Sequence, residues 1–328
     1  MESLLLGPED VRKSTQLSDI IDAIEGAFAA YARDTVQMPA KSYIDLPQYD
    51  GDFRSMPAYV EADDWEAAAV KWVNSHTENP DRHDLPTVMG TVVYSDPETA
   101  YPLALLDGTV LTRLRTGAAA AVATRHLAPE DATTLGLVGA GIQSHTQLEA
   151  IAQVRDIERV VLSDVNEEAI AAFREEYGTA YDVREGSIEE AASCPVVSTT
   201  TPVRDPIVET VGDRTHVNAM GADAAGKQEI APGILRNAKI VIDDYEQCTH
   251  SGEINVAWGE GLLGDDDIHG ELGDVVAGDA AGRTMADDVT VFDSTGLAIQ
   301  DVAAAHVVYE RAEREGIGTR FPLVGTET

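Results

Sequence analysis

The chain has 328 residues, 23 of them basic and 58 acidic, for a formal charge of −35 at pH 7. That balance excludes a surface built for nucleic acid or for anionic membranes, both of which repel it. Eighteen of the basic residues are arginine and only five are lysine, so Asp and Glu stand where surface lysines usually do. The composition predicts a halophilic, cytoplasmic protein kept soluble in concentrated salt.

With 44% hydrophobic residues the chain has ample material for a core, and its length suggests two domains. Cys194 and Cys248 form no CxxC pair, which argues against a disulfide framework and for a reducing compartment. The start, MESLLLGPEDV, lacks a basic segment followed by a long apolar one, and no run of roughly 18 apolar residues occurs. Neither export nor a membrane span is expected.

In chain order, residues 17–33 place Ile20, Ile21, Ile24, Ala27, Phe28 and Tyr31 at helical spacing, with Ser18 as the expected N-cap. From about 36 to 107 short strands and turns follow (SYIDL, FRSMPAYV, AAAVKWV, TVMGTVVYS, PLALLDG), predicting a mostly β or mixed α+β region. From 133 the rhythm becomes strand, helix, strand: TLGLVGAG, QSHTQLEAIAQV, RVVLSDV, NEEAIAAFREEYG. The apolar runs CPVVSTTT, THVNAMGAD and AKIVIDD come next. Repeated β-α-β units predict an α/β fold with a doubly wound parallel sheet. The segment IQDVAAAHVVYERAERE reads as one more amphipathic helix, free to return to the first domain. The domain border is placed by change of rhythm, giving 1–118 plus 300–328 as one domain and 119–299 as the other.

Gly139-Ala140-Gly141-Ile142-Gln143-Ser144 follows an apolar strand and opens a helix, the context of a dinucleotide-binding turn. Gly139 permits the tight turn, Gly141 admits the pyrophosphate, and the helix N-terminus offers N–H groups. Ser144 replaces the third glycine but is small. Asp164 ends the next strand, 25 residues after Gly139, where a carboxylate binds ribose hydroxyls and repels a 2′-phosphate, favouring NAD over NADP. Its other reading is an N-cap for the helix NEEAI. Thr200 and Thr201 either line the nucleotide or form a strand-end turn.

Three of the five lysines, Lys41, Lys71 and Lys227, fall in segments suited to an anionic substrate. Lys71 stands inside the apolar run EAAAVKWVNSH, either as a desolvated active-site cation or as a lysine snorkelling to solvent from a strand end. Arg54 and Arg115 add guanidinium forks for a carboxylate. Asp223, in NAMGAD after a buried strand, projects from the carboxyl end of the sheet. The histidines show no metal-ligand spacing, and no metal site is expected.

Together VKWVNSH, LRTGAA, GAGIQ, NAMGAD with GKQE, FDSTGLAIQDV, MPAKSYIDL and GEINVA resemble the ornithine cyclodeaminase and mu-crystallin family, most closely its archaeal alanine dehydrogenase branch. The resemblance implies a homodimer whose N-terminal domain is completed by the C-terminal helix, a Rossmann domain inserted between, and an active site in the cleft. It implies substrate binding by Arg54, Lys71 and Arg115, with Lys41 beside them, and catalysis by Lys71 and Asp223. Ala225 stands where the family commonly has proline. Ser294, Thr295 and Gly296 match a loop near the nicotinamide, or else cap the final helix; Thr116, Met220 and Gly221 complete the expected cofactor contacts. The expected activity is NAD-dependent interconversion of L-alanine with pyruvate and ammonium. Ornithine cyclodeamination and cyclic ketimine reduction are alternatives on the same scaffold.

Overall fold

In the computed structural model, which describes residues 2–325, the alternating positions of the first third become strands of one mixed sheet. These are β1 (Ser3–Leu6), β2 (Val36–Gln37), β3 (Ser42–Leu46), β4 (Gly51–Glu61), β5 (Glu66–His76), β6 (Val88–Ser95) and β7 (Pro102–Asp107). They lie in the order β1, β7, β6, β5, β4, β2, with β3 also on β4. All neighbours are antiparallel except β1 and β7. Because side chains alternate along a strand, β5 turns Ala67, Ala69, Lys71 and Val73 to one buried face, and β4 adds Met56, Ala58 and Val60.

The second sheet comprises β8 (Thr134–Val138), β9 (Arg159–Ser163), β10 (Asp182–Glu185), β11 (Val196–Thr199), β12 (His216–Ala219), β13 (Lys239–Ile242), β14 (Ile268–Glu271) and β15 (Thr290–Asp293). All pairs are parallel, in the order β10, β9, β8, β11, β12, β15, β13, β14. The direction of winding reverses between β8 and β11. In open α/β sheets ligands bind beyond the carboxyl ends of the strands at such a switch point. The chain then forms the helix Ala298–Glu315, which packs on β4, β5, β6 and the helix Leu17–Ala32, and ends with β16 (Thr319–Phe321) antiparallel to β1.

The described residues divide into two compact units, Thr116–Gly296 and the segments up to Arg115 and from Leu297. We propose that these are the two domains. Of the expected ranges, residues 1 and 326–328 lie outside the described residues. Among the described residues no helix is long and apolar enough to cross a membrane.

The expected cap at Ser18 is corrected. Gln16 occupies the N-cap position without a side-chain bond, and the Ser18 hydroxyl, already inside the helix, turns to Asp19 at 3.3 Å. By contrast, the helix Glu167–Tyr177 is capped by Asn166, whose Oδ1 accepts the N–H groups of Glu168 (3.0 Å) and Ala169 (3.2 Å). Asp164 is therefore not that cap. Asn166→Ala should cost about 1 kcal/mol in denaturant unfolding and Ser18→Ala under about 0.5 kcal/mol; the reverse order would contradict these assignments.

Candidate functional site

Lys71 sits in the middle of β5, 1% exposed, on the face covered by the final helix. A strand-end lysine reaching solvent is thereby ruled out. Its Nζ donates to Asp301 Oδ1 at 2.8 Å and to Thr112 Oγ1 at 3.4 Å. Asp301 lies in the first turn of the helix Ala298–Glu315 and is itself buried. Arg115, from the helix Gly108–Leu127, brings Nε to 3.4 Å from the same Asp301 oxygen, and its Nη1 donates to Gln300 Oε1 at 2.7 Å.

Two cations thus share one carboxylate in a buried layer. Burial depresses the Lys71 ammonium to about 7; Asp301 opposes that shift, while the charges of Arg115 and Lys41 add to it. Three atoms of this group are buried without hydrogen-bond partners: Arg115 Nε, Gln300 Nε2 and Asp301 Oδ2. Such atoms are rare in folded interiors and point to a ligand. Arg54 projects from the same sheet face, two residues along β4 from Met56, which stands opposite Lys71. Its guanidinium is held by Asp52 at 2.9–3.1 Å and lies 5.5 Å from the centre of the Tyr43 ring. Lys41 immediately precedes β3.

In the other unit the expected nucleotide residues, except Thr116 in the helix Gly108–Leu127, follow the carboxyl ends of the parallel strands. Gly139, at φ +104°, makes a turn that other residues rarely adopt, and Gly141 N-caps the helix Ile142–Ile151 with open space where a side chain would stand. Ile142 is 52% exposed beside it. Ser144 accounts for its departure from glycine: buried, it donates to Gly139 O at 2.5 Å and bonds Thr200 Oγ1 at 3.0 Å, tying the turn to the loop after β11. Asp164 accepts the Ala140 N–H at 2.5 Å and the Asn166 N–H at 2.7 Å, so its carboxylate stands at the glycine turn. This loop, its helix N-terminus and its neighbouring carboxylate fit a dinucleotide.

Thr200 and Thr201 follow β11, Met220 and Gly221 follow β12, and Ser294 to Gly296 follow β15. The last loop does not cap the final helix, whose N-cap is Leu297 without a side-chain bond. Instead Asp243 holds it, accepting the Ser294 hydroxyl (2.9 Å) and the Gly296 N–H (2.8 Å). Thr116 opens this unit, its carbonyl accepting Gln147 Nε2 at 3.4 Å. Gln143 lies one residue into the helix after Ile142, with its carbonyl bonded to Thr146 Oγ1 at 3.0 Å. Asp223 pairs with Lys227 at 2.7 Å. The turn between them closes without the family's proline: Lys227 N–H reaches Ala224 O at 3.1 Å, Gly226 adopts φ +79°, and Asn255 binds Gly226 N–H and Lys227 O.

Sequence reasoning missed Thr112, Gln300 and Asp301. The signal for Asp301 was available, because it is a lone charge among Ile299, Val302 and Ala303–Ala305. Among the described residues no group of three or more His, Cys, Asp or Glu is placed to hold a metal ion.

A doubly wound parallel unit with a glycine turn at its switch point, inserted in an α+β unit with a buried cation pair, defines a two-domain protein of the Rossmann type. The sequence matches the ornithine cyclodeaminase/mu-crystallin family over residues 1–316, and the chain belongs to that family. It is 45% identical to an alanine dehydrogenase of Archaeoglobus fulgidus over 326 residues, 98% of each chain. It is similar to a solved archaeal alanine dehydrogenase dimer with bound NAD, at 44% identity and a TM-score of 0.94, covering 99% of this chain and 100% of that one. It is also similar to the Delta(1)-pyrroline-2-carboxylate reductase of Thermococcus litoralis in complex with NADH and L-proline, at 34% identity and a TM-score of 0.92, covering 96% and 99%.

The ion pair yields a signed expectation. A lysine with its folded value near 7, below its ordinary 10.5, contributes stability at high pH that is lost as pH falls from about 10 through 7. Asp301→Asn removes the charge opposing that shift, so the variant should lose about 3 kcal/mol of stability, at the low end for breaking a buried pair because the amine can shed its proton. The loss should be larger near pH 6 than near pH 9 in paired denaturant titrations. Equal losses at both would refute the coupling.

Proposed function

We propose that this chain is an NAD-dependent oxidoreductase that interconverts L-alanine with pyruvate and ammonium. The observation that carries the reading is the Lys71, Arg115, Gln300 and Asp301 group, with two cations to one carboxylate and two donors and one acceptor left over. A carboxylate suits the donors and an N–H suits the acceptor, which together describe an amino or imino acid.

In this reading Arg54 and Arg115 orient the substrate carboxylate, and Lys71 donates to the carbonyl or imine, where negative charge develops. Asp223, held by Lys227, takes the proton from the amine or from attacking water. A bound NAD would supply the acceptor for the hydride from the alanine α-carbon, or its donor in reverse. As the Cα–H bond breaks, the nitrogen lone pair forms the imine; water adds to that carbon, the C–N bond breaks and ammonium leaves. The Gly139–Gly141 turn, Ile142 and Gln143 hold the pyrophosphate, and Asp164 holds the ribose and favours NAD. Thr116, Thr200, Thr201, Met220, Gly221, Ser294 and Gly296 line the remaining nucleotide. A second copy of the chain belongs to the proposal, because the archaeal relative is a dimer; light scattering would show twice the chain mass.

The likeness to a pyrroline-2-carboxylate reductase supports cyclic imine reduction as the second reading. Assays in molar KCl, where the acidic surface should be most stable, separate the two. They should find faster NADH oxidation with pyruvate plus ammonium than with pyrroline-2-carboxylate, and little proline formed from ornithine; the opposite ranking would overturn the assignment to alanine. Lys71→Met should lower kcat/KM by about two to three orders of magnitude, as loss of one preorganised donor does, with NADH affinity little changed. A folded variant keeping over about a third of the activity would make Lys71 structural.

A further inference from the structure

Glu229 is wholly buried in the second unit, and none of the roles above uses it. Its Oε1 accepts the Thr201 N–H and the Thr201 hydroxyl, both at 2.7 Å; its Oε2 accepts the Thr199 hydroxyl at 2.6 Å and the Gly221 N–H at 3.1 Å. One carboxylate thus joins the loop after β11 to the loop after β12. It stands so close to Gly221 that any side chain there would collide with Oε2, which gives a reason for glycine at that position.

Hydroxyls can reverse their hydrogen bonds, but main-chain N–H groups only donate. Because one N–H meets each oxygen, an amide nitrogen in place of either oxygen would confront a donor. Burial raises the proton affinity of Glu229 above its ordinary value, and the bonds from Thr199, Thr201 and Gly221 offset only part of that. A second buried glutamate nearby behaves differently. Glu253 takes the N–H groups of Glu229 (2.8 Å) and Ile230 (2.6 Å) on Oε1 alone, and its Oε2 has no partner. Burial first, and then the charge of Glu229, hold Glu253 well above the usual carboxylate range.

We propose that Glu229 is a positioning residue that fixes the two dinucleotide-facing loops after β11 and β12. Glu253 supports only the main chain beneath it and tolerates an amide. The inference rests on the dinucleotide reading for its consequence, while its geometry concerns the unliganded chain.

The test compares Glu229→Gln with Glu253→Gln in NADH binding, followed by fluorescence, and in amide hydrogen exchange without ligand. Glu229→Gln should weaken NADH binding by roughly tenfold to a hundredfold, the effect of one buried donor left facing another. It should also speed exchange at Thr201 or Gly221. Glu253→Gln should keep NADH affinity within about twofold, because one oxygen suffices there. Equal affinity in folded Glu229→Gln, or equal losses in both variants, overturns the proposal. Should Glu229→Gln fail to fold, exchange in the unsubstituted protein decides: protected amides at Thr201 and Gly221 support the brace, and amides as fast as neighbouring loop positions overturn it. A natural chain that binds no NADH defeats the dinucleotide reading instead, and the exchange rates still judge the brace.

Discussion

The ion pair of Lys71 with Asp301 is the constraint on which the first unit turns. A lysine side chain in the middle of a buried strand face would be intolerable alone, and the helix Ala298–Glu315 supplies the neutralising carboxylate from 230 residues further along the chain. The last helix must therefore return to the first sheet. Arg115 makes the same demand, since its guanidinium leans on both Gln300 and Asp301. A hydrophobic pair would pack as well and cost less to bury, so retaining two cations against one carboxylate makes sense as chemistry rather than as stability.

The second unit uses buried carboxylates in another way. Asp243 gathers the loop after β15 and Glu229 the loops after β11 and β12, while the half-exposed Asp164 holds the glycine turn. Asp293 receives the N–H groups of Glu253 and Ile254, and burial pushes its carboxyl up to about 7. Each acceptor is met by main-chain donors that cannot turn away, so loops without regular structure still present fixed positions. These acids carry the geometry of the strand ends.

Much of this was legible in the sequence because its signals are local. Short runs such as FRSMPAYV and AAAVKWV announced β4 and β5, and short apolar runs ended by glycine or polar residues announced the parallel strands. Lys71, Arg115 and Asp223 stood out as charges in apolar or glycine-flanked settings. What stayed hidden depends on distant partners. Asp301 neutralises a lysine 230 residues away, and Glu229 reads as an ordinary surface acid in GKQEIAP until the loops close around it. The cap at Ser18 failed for a smaller reason, since propensity names a capping residue but not the residue at which the backbone turns helical.

The central claim is that Lys71 is a desolvated cation poised near neutrality, and titration of the lysine side chains tests it most directly. With only five lysines, protein labelled with ¹⁵N-lysine gives few Nζ signals, and Lys71→Met identifies the one in question. The account predicts one lysine titrating near 7, lost in Lys71→Met and moved lower in Asp301→Asn. Five lysines all titrating near their ordinary value of about 10 would contradict it.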